Sequence, residues 1–116
     1  MGNGSSGLRA GGAGGNSTTM TIDQKRKAID KAGFKDLGGG NWELDIPSVG
    51  GAQILDETGS SRAIRAGFMP GQKAYSYNAW DALYRPLSGL MPTVAILPTL
   101  NEAKDAARQL IKNHLS

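Results

Sequence analysis

The sequence predicts an α+β domain: an N-terminal helix, an antiparallel sheet of about four short strands, and a C-terminal helix packed on that sheet. Three observations carry this. Pro98-Thr99-Leu100-Asn101-Glu102 opens a helix with a capping box, after which alanines and leucines recur at helical spacing. Trp42-Glu43-Leu44-Asp45-Ile46 alternates apolar with acidic residues, the period-two pattern of a half-buried strand. Turn-forming Gly, Pro, Asn and Ser clusters then recur at short intervals, as a meander requires.

The chain has 116 residues, and its first 19 are expected to lie outside the folded domain. They hold seven of the seventeen glycines, and Leu8 is the only large apolar side chain between Met1 and Met20. Such a stretch buries too little surface to offset its ordering entropy. Residues 1–19 therefore read as a disordered Gly/Ser-rich arm, either an expression leader or a native linker, with Met20 a candidate original start. Residues 20–116 read as one small α+β domain.

In the first predicted helix, residues 21–32, Thr21 and Gln24 stand at capping-box spacing, and Ile22 and Ile29 share a face. Gly33 is expected to supply a left-handed stop, with Phe34 folding back on the helix. Gly38-Gly39-Gly40-Asn41 reads as a turn, and Pro47 as the end of the Trp42 strand. Gly50-Gly51 reads as the next turn, with strands at Ala52 to Glu57 and Arg62 to Phe68. Asn78 is placed to cap a short helix over Ala79 to Tyr84. Thr93-Val94-Ala95-Ile96-Leu97 is the candidate buried strand. In the closing helix Ala103, Ala107, Leu110 and Ile111 form the buried face, while Lys104, Arg108 and Lys112 form a basic stripe expected to face solvent.

Composition removes several function classes. Without cysteine there is no disulfide scaffold, thiolate zinc site or cysteine nucleophile, and a reducing cytoplasm fits. No apolar run approaches the roughly 20 residues of a membrane span, so a cytoplasmic protein without membrane contact is expected. Its only histidine, His114, falls in the last helical turn, where an imidazole suits the helix dipole, and no G-x-S-x-G elbow accompanies it. Gly38-Gly39-Gly40 precedes a strand instead of opening a helix, which is not the arrangement that cradles phosphate. Glu43 and Asp45 fall on one strand face, with Asp56 and Glu57 able to come alongside. The metal-site reading competes there with a plain solvated sheet face. No cofactor is called for, and an enzyme is not the favoured class.

Net charge is +3 and unevenly spread. Residues 21–37 carry five bases against three acids, residues 38–60 four acids and no base, and residues 61–86 four bases against Asp81 alone. Within that last block Arg62, Arg65, Lys73 and Arg85 interleave with Tyr75, Tyr77, Trp80 and Tyr84. Rings stack on unpaired bases and cations neutralise phosphates, so Arg62, Arg65, Lys73, Tyr75, Tyr77 and Arg85 form a candidate site for single-stranded nucleic acid. The same residue types anchor protein interfaces, and Trp80 with at least one tyrosine is a core candidate.

Thr99-Leu100-Asn101-Glu102-Ala103-Lys104, following a short strand and preceded by a tryptophan-led meander, resembles the T-L-x-E-A-K ending of small domains encoded by bacteriophages, prophages and plasmids. The Gly-rich arm is similar to low-complexity linkers in phage polypeptides. The resemblance implies mobile-element biology, in which small proteins bind nucleic acid, inhibit host enzymes or build virions. It implies no role for any single residue. A non-enzymatic binding module of mobile-element type is the resulting expectation, with nucleic acid, single-stranded by preference, as the partner of the basic aromatic segment and a host or phage protein (a host-enzyme target or a virion component) as the alternative.

Overall fold

A computed structural model describes residues 19–87 and 96–115. The Gly-rich arm up to Thr18, and Thr93 to Ala95 of the predicted buried strand, lie outside them. The elements run α1 (Ile22–Lys31), β1 (Lys35–Gly38), β2 (Asn41–Ile46), β3 (Gly50–Asp56), α2 (Ser61–Arg65), β4 (Tyr75–Asp81), β5 (Ile96–Leu97) and α3 (Leu100–Asn113). The five strands form one antiparallel sheet in sequence order. The α+β class holds, with one strand more than the four expected.

Local signals explain both long helices. Thr21 Oγ1 accepts the Gln24 amide at 3.1 Å, and the Thr21 amide donates to Gln24 Oε1 at 2.9 Å, which satisfies two otherwise orphaned donors. Thr99 caps α3 in the same way, accepting the Glu102 amide at 3.1 Å. At the far end of α3 the carbonyl of Leu110 accepts from His114 Nδ1 at 3.0 Å, which places the proton on that nitrogen.

Strand alternation divides the sheet into two faces. The register aligns Leu44, Ala52 and Ala79 across β2, β3 and β4, all at most 2% exposed. On this face they share one core with Ile29, Val49, Leu87, Ala107 and Ile111. Alanine on the sheet meets alanine on the helix, so α3 lies close across β3 and β4, with Ala103 and Ala107 fully buried. No described helix covers the opposite face along Glu43, Gln53 and Asn78, where Glu43 is exposed and the two amides half-buried.

Helix α1 reaches the core through Ile29 and is tied to α3 by the basic stripe. Arg108 donates to the carbonyl of Ala32 at 3.0 Å while its guanidinium sits 5.1 Å from the Phe34 ring centre, and Lys104 approaches the same ring at 6.0 Å. Lys112 pairs with Asp30. The stripe is therefore a seam between two helices and not a solvated face, since single-helix periodicity does not reveal a neighbouring helix.

Four further assignments are corrected. Gly33 is not left-handed; α1 stops at Ala32, whose ψ of 139° turns the chain extended. Gly50 and Gly51 lie inside β3, and the turn before them is made by Pro47 and Ser48, the latter at φ 66°. Arg62 to Phe68 is not a strand: Ser60 accepts the Ala63 amide at 3.0 Å and starts the short helix α2. Ala79 to Tyr84 is not a helix but the end of β4 and the loop after it, because seven registered pairs with β3 outweigh a weak capping signal.

The close alanine contact makes a direct prediction. Ala107→Leu overfills the α3–sheet interface and lowers stability by about 1–3 kcal/mol in urea unfolding, whereas Lys27→Ala, which removes an exposed pair with Asp23, changes it by less than about 0.5 kcal/mol.

Candidate functional site

The sheet face that no described helix covers gains its relief from one aromatic residue. Gly51 stands between Asp45 on β2 and Trp80 on β4. The Trp80 indole lies over it so closely that a Cβ on Gly51 would come within 2.6 Å of the ring atoms Cε2 and Nε1. The Leu44 carbonyl oxygen would lie 2.5 Å from the same point. Only glycine permits the ring to settle there. Trp80 Nε1 is buried without a hydrogen-bond partner among the described residues.

The loop after β4 builds the adjoining wall. Asp81 accepts amides from Leu83 at 2.8 Å and Arg85 at 3.0 Å, and its other oxygen takes Arg85 Nε at 2.8 Å. The backbone closes the same loop: the Asp81 amide donates to the Arg85 carbonyl and the Tyr84 amide to that of Asp81. The amide of Arg85 leads the contacts that hold the Asp81 carboxyl below its ordinary pKa of 3.8, joined by the Leu83 amide and the Arg85 guanidinium. So braced, Tyr84 takes φ 62°, a left-handed conformation unusual for an aromatic residue, and is 72% exposed. Leu83 beside it is 69% exposed.

Between these parts lies a cleft of about 540 Å³ lined by Glu43, Asn78, Ala79, Trp80, Tyr84 and Pro86. A narrow crevice also bordered by Trp80 and Tyr84 includes Asp45. Glu43 and Asp45 do share one exposed face, and neither makes an ion pair among the described residues. No group of three or more His, Asp or Glu side chains among those residues is placed to hold a metal ion.

The residues expected to bind nucleic acid are distributed around the sheet. Tyr75 and Tyr77 share a strand face, and it is the face that carries the core. Tyr77 packs against that core and Tyr75 stands edge-on to Trp42 at 5.9 Å. Lys73, two residues before Tyr75, adds a small electrostatic contribution at Asp56, whose carboxyl is held below 3.8 chiefly by hydrogen bonds from Thr58. Arg62 lies 3.8 Å from Glu57, which also accepts from Ser76 Oγ at 2.8 Å. Ser76 points to the opposite face from Tyr75, so the sheet separates Arg62 from that ring. Arg65 is exposed at the end of α2. Arg85, bound to Asp81, lies about 20 Å along β4 from Tyr75. Lys73 and Tyr75 are thus brought together, while Arg62 and Arg85 are not joined to them.

Composition does not single out Gly51 or Tyr84, and it places Trp80 among the core candidates. The signal present in the sequence is an Asp followed by amides two and four residues on, ahead of a proline, which forms an Asx-type turn after a strand.

Family models, curated proteins and solved structures, compared with this chain, gave no match. Among the described residues no helix is long and apolar enough to cross a membrane.

Two predictions test this geometry. Gly51→Ala must displace the indole, so it shifts Trp80 fluorescence and costs about 1–3 kcal/mol in chemical unfolding. Asp81, with its folded pKa lowered, contributes stability above about pH 4 that is lost as pH falls through the folded value. The stability gap between the wild type and Asp81→Asn therefore narrows on acidification, read from urea midpoints between about pH 2 and pH 6.

Proposed function

We propose that this protein is a non-enzymatic binding module whose uncovered sheet face docks a protein segment. One observation carries the reading: a braced loop sustains backbone strain to hold Tyr84 out in solvent beside a cleft floored by Trp80. Strain of this kind costs roughly 1–3 kcal/mol and persists where the surroundings enforce it. A ring fixed before binding loses little entropy on contact, which suits it to anchor an interface. Exposed Leu83 extends the same anchor.

Single-stranded nucleic acid is the second reading, favoured by the half-buried Trp42–Tyr75 pair near Lys73 at the other end of β4. Two of its proposed cations, Arg62 and Arg85, pair with acids already, which reduces the charge left for phosphates. The mobile-element character rests on the resemblance of residues 99–104 and fits either partner.

Peptides selected from a random library on the full chain, followed by amide shifts, decide between these. Supporting peptides perturb Glu43, Asn78, Trp80 and Tyr84 and lose at least about tenfold affinity in Trp80→Ala. Shifts confined to Lys73 and Tyr75 with a single-stranded oligonucleotide, and no selected peptide on the open face, would overturn the protein-docking reading.

A further inference from the structure

The geometry points to an arginine side chain, carried on an extended basic segment of a partner protein, as the group seated between Trp80 and Tyr84. This inference rests on the docking reading above and adds the chemistry of the partner. Two aromatic residues border two carboxylates: Trp80 and Tyr84 line the cleft together with Glu43 and also the crevice together with Asp45. An indole face attracts a cation through its quadrupole, and tryptophan does so best among the aromatic residues.

A guanidinium satisfies both elements at once. Its plane stacks on a ring while its edge directs paired N–H groups at a carboxylate. Neither Glu43 nor Asp45 is in an ion pair among the described residues, so neither needs to leave a partner.

Among the described residues, Arg85 and Lys35 stand beside this surface without pairing with its two carboxylates. Arg85 is held on Asp81 by the 2.8 Å bond from Nε. Lys35 stands opposite Glu43 in the β1–β2 register without forming an ion pair with it. The charge of the site is therefore complementary to a basic segment and opposed to phosphate, which ties it to a protein and not to a nucleic acid. The polar residues around it, Asn78 on β4 and the bonded Asn41–Gln53 pair further along the face, suit the backbone of such a segment.

The test uses acetyl-Gly-Arg-Gly-Arg-Gly-amide and the same peptide with citrulline, which keeps the shape and removes the charge. Each is titrated into the full chain while amide shifts are recorded. The arginine peptide is expected to shift Glu43, Asp45, Trp80 and Tyr84, to bind roughly tenfold tighter than the citrulline peptide, and to weaken with salt. Glu43→Gln combined with Asp45→Asn, both exposed and harmless to the fold, should reduce its affinity roughly tenfold.

Equal binding of both peptides to this face overturns the arginine inference and leaves the docking face standing. The arginine inference falls equally if library-selected peptides bind the face and the arginine peptide does not. Silence of the face toward every peptide overturns both readings.

Discussion

The contact between the alanines of α3 and those of the sheet is the constraint from which the rest of the structure follows. Ala103 and Ala107 of the helix, with Ala52 and Ala79 of the strands, are all 0–2% exposed. Small side chains let a helix axis approach a sheet, after which Ile29, Leu44 and Ile111 fill the remaining space around them. With α3 there, α1 docks against it and reaches the core through Ile29. Its seam is then made by Phe34, Arg108 and the Lys112–Asp30 pair. Cations that look solvated on a single helix thereby become packing material, the Arg108 and Lys112 side chains being largely buried in the seam.

Closing one face in this way leaves the other to be shaped by few residues. A glycine near the start of β3 removes the side chain that would hold Trp80 away, and the indole settles over the strand. Directly after Trp80 an Asp-centred loop returns the chain to pair Leu87 with Ala79, presenting Tyr84 on the way. Floor and wall thus come from one continuous stretch of β4 and its loop, and the acidic rim from β2. Such a site is rigid because a sheet carries it and short because one loop bounds it.

How much of this is legible in the sequence depends on the range of the forces involved. Local hydrogen bonds at Thr21 and Thr99, and the alternation of residues 42–46, act within a few residues, so the helices and β2 are readable. Strand β4 is not, because Asn78 and Asp81 satisfy a capping pattern while their pairing with Gln53 and Gly50 is non-local. The segment Arg62 to Phe68 reads as a strand from its place in a series punctuated by turns, yet Ser60 sets a helix start three residues before Ala63. For the site, the shared face of Glu43 and Asp45 and of Tyr75 and Tyr77 is legible from period two alone. Which of those faces the helices cover is not, since that depends on where α3 lands. Gly51 looks like a turn residue for the same reason: its function is the close approach of a ring from another strand.

The docking face requires Trp80 to lie at the surface of an acidic, uncovered sheet. Fluorescence quenching of Trp42→Phe, which leaves Trp80 as the sole indole, measures this with two ions of opposite charge. With each ion's quenching scaled to its quenching of free tryptophan amide, caesium should reach Trp80 more effectively than iodide at low ionic strength, with the difference fading as salt is added. Emission that neither ion quenches, or that iodide quenches more strongly, would contradict this, because the indole would then be covered or set among positive charges.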